Sequence, residues 1–117
     1  MPRATLKHSS RVTRKGDFER ARKRGRTLGD DVLRFSVLSN GLEVTRLGLA
    51  VPRRGTAIER NRIKRVVREA FRLGRSRLPP GLDLVVSPRN FERACEFAEV
   101  VRSFEALATK LSKRSEP

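Results

Sequence analysis

The sequence predicts an α+β fold, a two-layer sandwich in which helices pack against a small sheet. Three observations predict it. Residues 32–38 and 44–51 alternate apolar and polar side chains, as half-buried strands do. Residues 57–77 and 97–111 repeat apolar side chains at helical spacing. A short apolar run at 82–86 between the two helices has the length of an interior strand, so strands and helices interleave around one core.

The length of the chain predicts one domain. Its 117 residues contain no Pro/Gly/Ser-rich linker between the periodic segments. We place the domain at residues 13–113. A flexible basic arm at 1–12, from which Leu6 and Val12 could dock, precedes it, and a tail at 114–117 follows.

A first helix is predicted from about residue 13 to residue 25. Thr13 is a suitable N-cap, Asp17 suits an early turn and Arg24 suits the last turn. Gly25 is expected to end the helix in the left-handed conformation.

Two strands follow this helix. In the first, 32–38, alternate side chains face the core: Leu33, Phe35 and Val37. Asn40-Gly41 then predicts a tight hairpin, because this pair readily adopts positive φ angles. On the return strand, 44–51, the small residues Gly48 and Ala50 leave room for something to lie against the outer face.

The helix at 57–77 is strongly basic. Between Arg60 and Arg77 it carries eight Lys/Arg residues against the single acid Glu69. Its apolar stripe, which must face the core, consists of Ile63, Val66, Val67, Ala70 and Phe71. The opposite face holds Asn61, Lys64, Arg65, Arg68, Arg72 and Arg75. So many like charges on one ridge indicate a polyanionic partner.

The last helix, 97–111, repeats its apolar residues over four turns. They are Phe97, Val100, Val101, Phe104, Leu107, Ala108 and Leu111. This face is expected to cover the sheet together with the basic helix.

The net charge of +15 and the pI near 11.7 make nucleic acid the expected partner. No run approaches the ~18 apolar residues of a membrane-spanning helix, and no secretory signal is visible. Cys95 is the single cysteine, which favours the cytoplasm and a thiol without catalytic function. His8 is the single histidine, and the acidic pair Asp30-Asp31 suits a turn better than a metal site, so no catalytic side chain or metal ligand is expected.

The segment from Ala57 to Arg72, AIERNRIKRVVREAFR, closely resembles the signature of the bacterial ribonuclease P protein subunit. Asp17-Phe18 with Gly25, the run 46–51 and the run 82–86 resemble further parts of that family. The resemblance implies a small basic protein that joins a large catalytic RNA to remove 5′ leaders from precursor tRNA. It also implies that magnesium ions held mainly by the RNA and the substrate make the cut. Neither DNA nor a membrane is expected as a partner.

For the fold, the resemblance implies about four strands in a mixed sheet and three helices, in the order α-β-β-β-α-β-α. It also implies a left-handed crossover at the basic helix, as in the ribosomal-protein domain 2-like fold.

The resemblance assigns two RNA-binding surfaces. The first would contact the RNA subunit through Arg60, Asn61, Arg62, Lys64, Arg65, Arg68 and Arg72. Arg60 and Arg62 point off the centre of the basic face, so they could instead brace Asn61 or bind neighbouring strands.

The second surface is a cleft for the single-stranded leader, with Phe18, Arg22, Phe35, Arg53 and Arg54. Arg22 stands where the family has an aromatic residue. A shift of one residue would place Ser36 in the cleft and Phe35 in the core.

Three rival functions remain at the level of sequence. A ribosomal or other structural RNA-binding protein of similar fold would explain the charge equally well, although the block from Arg60 to Arg68 argues against it. A protein-only nuclease would require clustered carboxylates. A helix-turn-helix DNA-binding regulator would require a compact helix pair, which the strands flanking the basic helix disfavour.

Overall fold

The computed structural model describes residues 11–12 and 15–115, with side chains described up to residue 112. Thr13, Leu6 and His8 lie outside the described residues. In chain order the elements are α1 (Lys15–Arg24), β1 (Arg26–Gly29), β2 (Leu33–Ser39), β3 (Arg46–Leu49), α2 (Ala57–Gly74) with a 3-10 turn (Arg75–Arg77), β4 (Leu82–Pro88), the short α3 (Phe91–Ala94) and α4 (Phe97–Ser115). The predicted α+β fold with a four-stranded sheet and three long helices is confirmed.

The sheet is mixed, with the strand order β1-β2-β4-β3. β2 pairs antiparallel with β1 and with β4, whereas β3 pairs parallel with β4. α2 connects β3 to β4, so the predicted crossover at the basic helix is confirmed, and its left hand stays a prediction. β4 is a central strand, as its continuous apolar run predicted.

The predicted hairpin at Asn40-Gly41 is wrong, because β4 lies between β2 and the return strand. The Asn40 side chain instead ties the loop to the start of β4. Its amide nitrogen donates to the carbonyl of Val44 at 3.1 Å and to Asp83 at 2.9 Å, and its oxygen accepts from the Leu42 N–H at 2.7 Å. β4 is buried on both faces, at Val85 and Val86, so a central position removes more apolar surface from water than a β2–β3 hairpin would.

The main core lies between one face of the sheet and the pair α2–α4. Phe104 of α4 packs edge-on against Phe35 of β2, with ring centroids 5.2 Å apart, and lies 6.2 Å from Phe71 of α2. The predicted apolar stripes of both helices face this core. Phe97 is the exception at 42% exposure, because it lies at the first residue of α4.

A capping box that the sequence analysis missed begins α2. The Thr56 hydroxyl accepts from the Glu59 N–H at 3.0 Å, and the Glu59 carboxylate accepts from the Thr56 N–H at 2.9 Å. The spacing Thr-x-x-Glu is the sequence signal for this arrangement. The box fixes the start of the basic helix and the exit of the loop that precedes it.

Gly25 follows α1 for a different reason from the predicted one. The φ angle of Gly25 is not positive, whereas the φ angles of Gly29, Gly41, Gly55 and Gly81 are. Gly25 is required because a Cβ there would lie 2.3 Å from the carbonyl oxygen of Ala21 and 2.8 Å from that of Val37. Close approach of two backbones, rather than a left-handed turn, therefore selects glycine.

We expect Gly25→Ala to lower the free energy of unfolding by about 1–3 kcal/mol, because both obstructing atoms are backbone and must shift. Urea unfolding followed by circular dichroism measures the change. Gly74→Ala is the matched control, since a Cβ at Gly74 has no neighbour within 4 Å among the described residues. It is expected to raise stability slightly, by about 0.5 kcal/mol. Equal stability of the Gly25→Ala variant and the wild type would contradict the packing argument.

Asp30 occupies the turn between β1 and β2, as the turn preference of Asp30-Asp31 predicted. One carboxylate oxygen accepts from the N–H groups of Val32 and Leu33 at 2.9 and 3.0 Å, and the other accepts from the Ser103 hydroxyl at 2.7 Å. Burial alone would raise the pKa of Asp30, but these hydrogen bonds and the nearby charge of Arg93 outweigh it and lower the pKa. The carboxylate therefore links the β1–β2 turn to α4.

A carboxylate with a lowered pKa stabilises the folded state fully above its unfolded pKa of about 4 and loses that effect as the pH falls through its folded pKa. We expect Asp30→Asn to cost about 1 kcal/mol at pH 7 and little near pH 2. Urea midpoints of both proteins across this range measure it. If Asp30→Asn lowered stability equally at pH 2 and pH 7, the stabilising role given to the ionised Asp30 carboxylate would be contradicted.

Candidate RNA interface

α1 lies on the sheet face opposite α2 and α4. The register aligns Ser36, Val85 and Gly48 across β2, β4 and β3 on this face. Phe18 of α1 and the docked Val12 cover Gly48 so closely that a Cβ there would lie 3.0 Å from each side chain. The prediction that something lies against the small residues of β3 is confirmed at Gly48, since Phe18 occupies the place.

A partly buried ion-pair network holds the start of α1 on this face. Arg46 of β3 donates two hydrogen bonds of 2.7 Å to Asp83 of β4, and its guanidinium lies 3.5 Å from Asp17 of α1. The hydrogen bonds to Asp83 raise the pKa of Arg46, against the opposing effect of burial. The network sets where the rest of α1, including Arg22, lies over the sheet.

Beyond the network, the same face opens into a cleft of about 500 Å³. α1, β2, β4 and the end of β3 form it, and Lys64 reaches it from α2. Its lining residues are Arg22, Arg34, Ser36, Leu49, Ala50, Val51, Pro52, Lys64, Val85, Ser87 and Pro88. Among the described residues, this lining contains three cationic side chains, no acidic side chain and no aromatic ring.

The placement of Phe35 in the cleft is wrong. Phe35 is fully buried in the α2–α4 core against Phe104, because strand alternation puts it on the same face as Leu33 and Val37. Ser36, the alternative of the sequence analysis, lines the cleft instead.

The other predicted cleft residues divide between two places. Arg22 lines the cleft, whereas Phe18 lies beside it with its ring on Gly48. Arg53 is exposed in the loop before α2 and is not among the lining residues. The Arg54 guanidinium lies 4.8 Å from the ring centroid of Phe91, in a cation–π contact outside the lining.

The basic face of α2 borders this cleft. Asn61, Arg65 and Arg68 are exposed, and within residues 11–12 and 15–115 their side chains make no hydrogen bond or ion pair. Arg72 is engaged with Glu69 at 2.5 Å, and this hydrogen bond raises the pKa of Arg72. Lys64 lies where the basic face and the cleft meet, so the two surfaces are continuous.

Arg60 and Arg62 bind the protein's own backbone. Arg60 donates to the carbonyl of Gly55 at 3.0 Å, and Arg62 donates to the carbonyl of Cys95 at 3.1 Å. They brace the loop before α2 and the connection between α3 and α4, and neither donates a hydrogen bond to Asn61, which the sequence analysis offered as a group they could brace.

Comparison with known proteins identifies the family. The family model described as Ribonuclease P matches residues 6–112. A ribonuclease P protein component from Syntrophus aciditrophicus is 32% identical over 111 residues, which cover 94% of this chain and 93% of that protein. The chain belongs to the ribonuclease P protein family. It is a protein component of ribonuclease P, a subunit of an RNA-processing endonuclease that acts in 5′ maturation of tRNA.

Solved structures of ribonuclease P proteins share the fold. The Thermotoga maritima protein is 36% identical with a TM-score of 0.67, and the match covers 92% of this chain and 98% of that one. The Staphylococcus aureus protein is 28% identical with a TM-score of 0.73, and the match covers 89% and 95%. The predicted membership of the ribonuclease P family is therefore confirmed.

Within this ribonuclease P protein, sequence analysis missed Arg34 and Ser87 as cleft residues. The signal for Arg34 was present, because alternation in β2 puts it on the face opposite Phe35, whereas Ser87 follows only from its pairing with Arg34 in the structure. Cys95 is half-buried, and burial raises the pKa of its thiol, which disfavours the reactive thiolate.

Two further properties concern metals and membranes. Among the described residues, no three acidic, histidine or cysteine side chains are grouped so that they could hold a metal ion. None of the helices in that part of the chain has the length and hydrophobicity needed to cross a bilayer.

Proposed function

We propose that this protein works in the cytoplasm with a catalytic RNA subunit and binds two RNAs at once. The exposed face of α2 binds the RNA subunit through Asn61, Arg65 and Arg68, while the cleft holds the single-stranded leader of precursor tRNA. Lys64 lies at the boundary and can serve both. This arrangement strengthens binding of the precursor relative to the mature product, which has no leader.

The single observation that carries this proposal is the continuity of the α2 face with the cleft at Lys64. Arg65 and Arg68 are exposed without partners among the described residues, and so are Arg22 and Arg34 in the cleft. One guanidinium group can donate two hydrogen bonds to the oxygens of a phosphate, and the Asn61 amide can donate and accept hydrogen bonds at a sugar or a base edge. A segment of the folded RNA subunit on the α2 face and the single-stranded leader in the cleft can therefore lie side by side.

Magnesium belongs with the RNA subunit and the substrate in this proposal. Two of the least exposed carboxylates are already engaged within the protein, since Asp30 accepts hydrogen bonds from its turn and from Ser103, and Asp83 from Arg46 and Asn40. The protein contributes positive charge and substrate position, and no side chain acts as acid, base or nucleophile.

Reconstitution tests the proposal. The protein is added to a bacterial ribonuclease P RNA at low magnesium concentration, and removal of the leader from a precursor tRNA is followed. We expect stimulated cleavage with the RNA and none by the protein alone. Cleavage by RNA-free protein would overturn the proposal, and so would failure to stimulate the RNA.

Phe18→Ala is expected to weaken precursor binding by roughly tenfold and to leave assembly with the RNA subunit within about twofold. The ring holds α1, which carries Arg22, against β3, so its loss displaces one wall of the cleft but not α2. Equilibrium binding of precursor and mature tRNA by the assembled enzyme measures the effect. An equal loss of affinity for mature tRNA would contradict it.

A further inference from the structure

We infer that the cleft grips the sugar-phosphate backbone of the leader and does not read or stack its bases. This inference rests on the proposed function, because it concerns how the same cleft holds the leader. It makes Arg22, Arg34 and Lys64 the residues that position the leader, and it predicts that the base sequence of the leader contributes little.

The composition of the cleft is the first argument. Stacking on single-stranded RNA uses aromatic rings as platforms, and the described residues that line this cleft include none. Phe35 lies in the core, and the Phe18 ring packs on Gly48. The apolar part of the lining is aliphatic, from Leu49 to Pro52 with Val85 and Pro88, and such groups suit the edges of sugars.

The second argument is the charge around the cleft. Arg22, Arg34 and Lys64 come from three different elements, α1, β2 and α2, and converge on one cavity with no acidic side chain among its described lining residues. In the part of the chain that the structure describes, none of the three donates a hydrogen bond or forms an ion pair. Their donors are therefore free for phosphate oxygens, and the hydroxyls of Ser36 and Ser87 can add hydrogen bonds to phosphate or ribose.

The guanidinium of Arg22 could itself stack on a base, so the experiment must separate the two modes. The enzyme assembled with ribonuclease P RNA binds four ligands: a natural precursor tRNA, one with an abasic leader, one with neutral methylphosphonate linkages in the leader, and mature tRNA. The dissociation constant of each is measured at several salt concentrations.

We expect the abasic leader to keep its affinity within about threefold of the natural one. The methylphosphonate leader is expected to lose most of the advantage over mature tRNA, because it offers no charge to the cleft. A larger loss with the abasic leader than with the neutral leader would overturn the inference while leaving the proposed function intact. If the natural precursor bound no more tightly than mature tRNA, the proposed function would fail as well.

Substitutions at Arg22 sharpen the test. Arg22→Gln should lower the slope of log affinity against log salt by about 0.7, the value for one contact to single-stranded phosphate. Arg22→Phe should make affinity depend on bases, so that the natural leader binds roughly fivefold or more tightly than the abasic one. Arg24→Gln is the matched control, since Arg24 is exposed on the same helix and is not among the lining residues. An unchanged salt slope in Arg22→Gln would also overturn the inference.

Discussion

Asp83→Ala is expected to lower the free energy of unfolding by about 3 kcal/mol, the largest stability effect among the predictions here. Asp83 is 5% exposed and accepts both hydrogen bonds of Arg46 at 2.7 Å. Alanine leaves this partly buried guanidinium with the longer contact to Asp17 at 3.5 Å. It also removes an acceptor of Asn40, so the loop before β3 loses one of its hydrogen bonds to β4.

Urea unfolding at pH 7 measures this prediction. Asp31→Ala is the matched control, because Asp31 is exposed, and its effect should stay within about 0.5 kcal/mol. The double variant Arg46→Met/Asp83→Leu should recover most of the loss, since two apolar side chains leave no uncompensated charge. A loss below about 1 kcal/mol in Asp83→Ala would show that water already solvates the pair.

Arg65→Ala/Arg68→Ala is expected to weaken assembly with the RNA subunit by roughly 10- to 100-fold near physiological salt. Both side chains are exposed on the α2 face, and neither supports the fold through a hydrogen bond or an ion pair within the described residues. The double substitution should therefore lower the affinity for the RNA subunit and change the free energy of unfolding little. Each lost phosphate contact should also lower the salt slope by about 1.

Binding of labelled ribonuclease P RNA across a salt series measures this effect. The control Arg24→Ala/Arg102→Ala removes the same net charge from α1 and α4, outside the α2 face, and should change affinity only a few-fold through general electrostatics. Equal losses in the two double variants would mean that total charge, and not the α2 face, binds the RNA.

The two surfaces are distinguished by comparing these variants with Phe18→Ala. Arg65→Ala/Arg68→Ala should weaken assembly with the RNA subunit, whereas Phe18→Ala should reduce the preference of the assembled enzyme for precursor over mature tRNA. If the two defects were interchanged, our assignment of α2 to the RNA subunit and of the cleft to the leader would be wrong.

Local patterns were sufficient for the long helices, for β2 and β4, and for the family. The apolar stripe from Ile63 to Phe71 predicted which side of α2 is buried, and the alternation in 33–37 predicted the inner face of β2, because both periods are properties of the backbone alone. β1 could not be recognised from its residues, since Arg26–Gly29 is a four-residue edge strand without a clear pattern.

Pairings between distant segments required the tertiary structure. Asn40-Gly41 has the local signature of a hairpin, but insertion of β4 between β2 and β3 depends on burying both faces of a strand more than 40 residues away. In the same way, the role of Asp83 as partner of Arg46 follows from the parallel register of β3 and β4.

The sequence by itself determined that this protein is a basic α+β domain of the ribonuclease P family, because charge, periodicity and the block from Arg60 to Arg68 are local features. Only the tertiary structure decided which of these groups are free to bind RNA. In the folded protein, Arg60 and Arg62 donate hydrogen bonds to backbone carbonyls, and Phe35 lies in the core. Arg22, Arg34 and Lys64 lie around one cleft. The physical reason is that availability for a ligand depends on neighbours brought together by packing, which no local pattern encodes.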